Sequence, residues 1–263
     1  MKREIVGQQS LGIQDGTEKF MRLVPTGSGT RVFGATLVGT LTVLWLSKVS
    51  HSSLVGYAYG AGLFTLLSWP FVPRLLRQVR WQKRVMERAL GLLIVSLGFG
   101  ALGGLILGYN PQAQGLSEFN WLLAQKLLWQ FPLVLPVENL LLLGAMVGFV
   151  RITRARGTPQ IMLMALLAAG FFGLWHVPFW GWGTLVTIGL TVLPWTLYMA
   201  VTGDVVVPVI THVMMDTTAM VVNFAPNHWV REGFMAALIV AVLIWSVVRS
   251  WWEDWRTTSR DLE

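Results

Sequence analysis

The chain has 263 residues, 54% of them hydrophobic and 13% charged, with a net charge of +7 and no cysteine. So little charge among so many apolar residues excludes an ordinary soluble domain, and the missing thiols exclude disulfides, thiolate metal sites and a Cys nucleophile. The basic excess invites a nucleic-acid partner, but Lys and Arg sit in short connections between apolar blocks, where they set membrane topology instead; no nucleic acid is expected.

Residues 1–31 are polar and mixed in charge, with no short apolar region and no small-residue cleavage site. They read as a polar cytoplasmic tail rather than a cleaved signal peptide. Beyond them the apolar blocks run about 18–25 residues, enough to cross a hydrocarbon core of about 30 Å. Blocks this long and uniformly apolar are helices, not barrel strands, because a helix satisfies its own backbone groups in lipid. The expectation is an all-α, polytopic integral membrane bundle of about eight helices in one domain, placed in a bacterial inner or plasma membrane.

The expected spans are 32–49, 53–73, 89–109, 127–150, 161–180, 182–201, 204–224 and 232–252, followed by a cytoplasmic tail at 253–263. Prolines interrupt several of them: Pro70, Pro132, Pro136, Pro178, Pro194 and Pro208. Neighbouring helices can re-satisfy the backbone groups such breaks release. Gly98, Gly100, Gly103, Gly104 and Gly108 in the third span suit close helix packing. With the N-terminus inside, seventeen Lys and Arg fall on the inner side, against Lys48, Lys126 and Arg231 outside. That bias makes both termini cytoplasmic.

Few side chains within the spans can do acid–base work near neutral pH: Glu138, His176, His212 and Asp216, with Asp204 at a boundary. His51 and His228 fall in outer loops and read as solvated or interfacial. The interior four are costly where they sit, and such residues usually face the bundle interior and pair with one another. His212 and Asp216 in 208-PVITHVMMD-216 lie four apart, on one helix face. Two readings stand side by side. Each residue taken alone could be a hydrogen-bonding staple between helices, with Glu138 as a neutral carboxyl. Taken together, two carboxylates and two imidazoles from three spans are the constituents of a water-activating site.

Order and context supply a further clue. The chain resembles the CPBP family of intramembrane endopeptidases, which includes type II CAAX prenyl proteases and Abi-type bacterial proteins, over about residues 90–225. That family carries Glu-Glu-x-x-x-Arg, then Phe-x-x-x-His, then His-x-x-x-Asn or His-x-x-x-Asp. Glu138 matches the first glutamate, Phe172 to His176 the second motif and His212 to Asp216 the third, with Leu142 and Gly144 also in place. Asn139 stands where the family has its second glutamate, and Leu143 where it has arginine. Positions four apart suit an ion pair along a helix, so losing both reads as a paired structural loss. Asn139→Glu alone is then expected to destabilise the protein, and Asn139→Glu with Leu143→Arg to be tolerated.

The resemblance implies hydrolysis of a peptide bond in a membrane-anchored protein or peptide. Glu138 would be general base on a water, His176 would help position it, and His212 with Asp216 would orient the carbonyl and stabilise its oxyanion. No cofactor is expected; the alternative is a zinc held by Glu138, His176 and His212. Rival readings are a non-catalytic binding or chaperone-like membrane protein and a proton-coupled transporter. His176 lies near the outer end of its span, which leans the site toward the extracytoplasmic half.

Overall fold

The computed structural model describes residues 17–23, 29–79, 84–112 and 120–234, with further positions up to 248. Among them every regular element is a helix: α1 (Gly29–Ser50), α2 (Ser53–Leu67), α3 (Phe71–Gln78), α4 (Val85–Leu107), α5 (Trp121–Leu128), α6 (Phe131–Ile152), α7 (Thr158–Trp180), α8 (Thr184–Thr202) and α9 (Val206–Phe224). Six of these are long and apolar enough to cross a membrane: α1, α4, α6, α7, α8 and α9. They correspond to six of the eight expected spans.

The second expected span differs. At 15 residues α2 is only about 22 Å long, and the chain turns at 68–70 before α3 begins. Pro70 has no N–H with which to continue the ladder. The eighth span lies partly outside the described residues, although 228–234 is helical. The tail 253–263 and residues 1–16 lie outside them altogether. Part of the segment read as a polar tail is a short helix at 17–23 whose Phe20 is fully buried. It packs on the α8–α9 connection. There Gly203 has φ +67°, and a Cβ would meet the backbone N of Phe20 at 2.9 Å.

The centre of the bundle is α6, which packs against α1, α2, α7 and α9. Its sequence explains this position. Unlike a helix with one apolar stripe, 140-LLLLGAMVG-148 is apolar or small all round, so every face can be buried. Gly144 admits α1 and α2 closely: a Cβ there would meet Thr36 Oγ1 at 2.5 Å and the Phe64 ring at 2.9 Å. The α4 glycines divide. Gly100 and Gly103 face α8, where a Cβ would meet Thr191 Oγ1 at 2.5 Å and Thr187 Cα at 2.9 Å, whereas Gly98 has open space.

The helices alternate in direction. Arg31 at the start of α1 donates to the carbonyl of Leu67 at the end of α2, 2.7 Å away. Lys19, Arg77 and Asp204 line one hollow, and Met21, Gly29 and Arg151 another. Ten of the thirteen Lys and Arg among the described residues belong to this end, in the stretches 19–31, 74–88 and 151–156. The other three, Lys48, Lys126 and Arg231, lie toward the opposite end.

Candidate active site

Glu138 is carried by α6, six per cent exposed. Just before it, Pro136 cannot donate to the carbonyl of Pro132, which loosens the helix on the approach to the glutamate. Glu138 Oε1 accepts a hydrogen bond from the Tyr57 hydroxyl of α2. Its other oxygen, Oε2, lies 3.6 Å from His212 Nε2. The same nitrogen lies 3.5 Å from Asp216 Oδ2, one turn further along α9.

The orientation of α9 comes from the residue beside the histidine. Thr211 is fully buried against α4, its Oγ1 lying 2.9 Å from the Val207 carbonyl of its own helix and 3.2 Å from that of Ala89, a shared donor that helps orient the helix presenting His212. At its start, Asp204 Oδ1 accepts from the N–H groups of Val206 and Val207 at 2.9 and 3.4 Å. Asp204 is a cap satisfying the open end of α9, at the far end of the helix from Asp216.

Asn139, adjacent to Glu138, is buried and reaches His212 from the other side. Its Nδ2 lies 2.8 Å from His212 Nδ1 and 2.9 Å from the carbonyl of Leu135. That carbonyl can only accept, so the amide nitrogen, not the oxygen, faces it. The amide therefore donates to His212 Nδ1, which must be the unprotonated nitrogen. The ring proton then sits on Nε2, between the carboxylates of Glu138 and Asp216. The indole of Trp195, from α8, lies against the imidazole with ring centroids 4.7 Å apart.

His176 has the opposite tautomer. Its Nδ1 lies 2.8 Å from the carbonyl of Phe172 on its own helix. Nδ1 must donate there, leaving Nε2 of the neutral ring as an acceptor. Phe172, the first residue of that motif, holds both rings: its centroid is 4.7 Å from His176 and 6.2 Å from His212. Pro178, two residues on, leaves the carbonyl of Leu174 without its helical donor.

The four residues line one cavity of about 350 Å³. Direct contacts join Glu138, His212 and Asp216, and His176 shares the wall. His51 and His228 are exposed and lie outside it. Among the described residues, no three His, Asp or Glu side chains are grouped so as to hold a metal ion.

A comparison with protein families finds a match over part of the chain. Residues 118–218 match the model of type II CAAX prenyl endopeptidase Rce1-like proteins. Over these residues, fewer than half of the chain, the protein is similar to an Rce1-like domain. The matched stretch runs from before α5 into α9 and holds Glu138, His176, His212 and Asp216, in line with the resemblance read from the motifs but over a shorter range. No curated protein and no solved structure matches the chain. Tyr57 lies outside the matched stretch, and sequence reasoning missed it. Asn139 lies inside and was read only as a departure, although its place beside Glu138 in the first motif was a signal.

Proposed function

We propose that this protein is an intramembrane endopeptidase of glutamate type, cleaving a peptide bond in a membrane-anchored protein or peptide. The observation that carries the reading is His212 Nε2 lying within 3.6 Å of a carboxylate oxygen of both Glu138 and Asp216, at the wall of a cavity and within the stretch similar to Rce1-like proteins.

Glu138 takes one proton from a water that also donates to His176 Nε2. The water oxygen bonds to the scissile carbonyl carbon while the carbonyl π pair moves to oxygen. That oxyanion accepts the His212 Nε2–H, a donor already held in place. Collapse re-forms the carbonyl and breaks the C–N bond, and the proton on Glu138 passes to the departing amine. Tyr57 fixes the Glu138 carboxylate through Oε1 and leaves Oε2 for the water. Asp216, which when ionised can only accept, is a positioning residue that draws the Nε2–H edge of His212 toward the cavity.

The decisive experiment compares purified wild type and Glu138→Gln against a library of membrane-tethered peptides. Cleavage by the wild type, lost in a folded Glu138→Gln protein, supports the reading. Cleavage retained by Glu138→Gln removes it, and no cleavage by either returns the site to a binding role.

A further inference from the structure

The cavity's position along the bundle and the charges around it say more than the chemistry at its floor. The cavity runs from mid-bundle, at Glu138, Trp195 and His212, to one end, where it is lined by Ser47 of α1, Ser53 of α2, Gln130 just before α6, Trp180 of α7 and Asn223 of α9, with Asn110 just past α4. The cavity thus opens where Lys48, Lys126 and Arg231 are the only described cations, away from the ten at the other end. Basic connections mark the cytoplasmic side of a membrane protein.

No Lys or Arg is among the described residues lining the cavity, and its charged groups are Glu138 and Asp216. Its mouth is set with hydroxyls and amides, which hydrogen-bond a neutral peptide backbone. A chain end entering here would bring its own carboxylate toward two others with no counter-charge, and like charges brought together in a partly buried site are strongly disfavoured.

We propose that the site takes its substrate from the extracytoplasmic face, as an internal segment, neutral or basic around the scissile bond, of a membrane-anchored protein. This rests on the endopeptidase reading for the hydrolysis, but not for the face of entry or the charge preference. A substrate presented by its free C-terminus in the cytoplasm does not fit the opening.

The native chain has no cysteine, so single cysteines report position directly. In spheroplasts treated with a membrane-impermeant maleimide, Asn110→Cys and Asn223→Cys at the mouth should label at once, and Arg154→Cys only after permeabilisation. The reverse pattern, or equal labelling of both sets, overturns the assignment of the face. Purified wild-type protein is then offered photo-crosslinkable, membrane-tethered peptides that are identical except for a free or an amidated C-terminus next to the central segment. The amidated form should be captured about tenfold more efficiently; equal capture overturns the charge preference. Neither readout needs turnover. Labelling and capture as stated, with no cleavage, would sink the protease reading and leave this one standing.

Discussion

Asn139 donates its side-chain amide to His212 Nδ1 across 2.8 Å, from the helix that carries Glu138 to the helix that carries Asp216. One hydrogen bond thereby decides which edge of the imidazole can give a proton to the cavity. The amide is itself held by the carbonyl of Leu135, so its direction does not depend on the histidine. A feature that reads in the sequence as the loss of a family glutamate is, in the folded protein, a contact with the site.

Asn139→Asp tests this with a nearly isosteric change. A carboxylate can only accept, so His212 would have to carry a proton on Nδ1, and as a neutral ring it would lose the one on Nε2. Removing one preorganised oxyanion donor typically costs about 10²–10³ in rate, and a loss of that size is expected with the fold intact. ¹⁵N NMR of labelled histidine should show the His212 tautomer exchanged. An unchanged pattern would mean that Asn139 does not set it.

A second prediction separates charge from position. Asn139→Glu places a third carboxylate beside Glu138 and Asp216 around one imidazole, so both stability and activity should fall. Adding Leu143→Arg places a partner four residues along α6, but Leu143 is two per cent exposed in the apolar core, so the larger charged side chain should recover only part of the stability. It does not return the lost amide donor. Asn139→Glu with Asp216→Asn instead keeps two carboxylates and one amide about His212, with the places of the amide and one carboxylate exchanged, and should recover more activity than the pairing with arginine. Thermal unfolding in detergent and peptide cleavage, measured on all four proteins, separate the two effects. If the arginine variant regains full cleavage, the paired structural loss read from the sequence is the better account.

How far the sequence reveals this protein depends on the range of the interaction. Six spans are legible because a bilayer-length apolar block is a local property. The second span is not, since hydropathy runs on through Pro70 while the backbone turns there. Glu138, His176, His212 and Asp216 stand out because ionisable groups are costly in lipid. Tyr57 carries no such mark, being at home in apolar helices, and its bond to Glu138 joins residues 81 apart in the chain. The short helix at 17–23 escaped notice because one buried aromatic, Phe20, gives too little periodicity to see.

Tyr57→Phe should test the support for the glutamate. The substitution leaves the aromatic packing on Trp175, with centroids 6.3 Å apart, and removes only the donor to Glu138 Oε1. A hydrogen bond to a charged group contributes about 1.5–3 kcal/mol, so a lower melting temperature is expected along with slower cleavage. Full activity in Tyr57→Phe would show that Glu138 needs no anchor from outside the stretch similar to Rce1-like proteins.

Packing around α6 makes a prediction that needs no substrate. At Gly144 a Cβ would meet Thr36 Oγ1 at 2.5 Å and two Phe64 ring carbons at 2.9 Å, whereas Gly98 has nothing within 4 Å. Gly144→Ala should therefore destabilise by about 1–3 kcal/mol, the usual range for overpacking a core. Gly98→Ala should be neutral or slightly stabilising, since it exchanges glycine for the best helix former. Equal melting temperatures for the two variants would show that α6 does not approach α1 and α2 this closely.

The last prediction concerns the metal. In the geometry described, the three direct partners are two carboxylates and one imidazole already engaged by Asn139 at Nδ1. The second imidazole donates to its own helix through Nδ1. A tetrahedral zinc needs its ligands about 2.0–2.2 Å from the ion. At 3.5–3.6 Å, His212 Nε2 is close enough to both carboxylates for a shared metal to be geometrically conceivable, but only as a donor stripped of its proton. The Asn139 amide on Nδ1 would then leave the ring with no proton on either nitrogen, an imidazolate, which is far from the neutral form that histidine presents as an ordinary ligand. Cleavage should accordingly survive exhaustive chelation and dialysis, with zinc absent by elemental analysis. Activity lost on chelation and restored by stoichiometric zinc would overturn the glutamate mechanism and require Asn139 to release His212 when the metal binds.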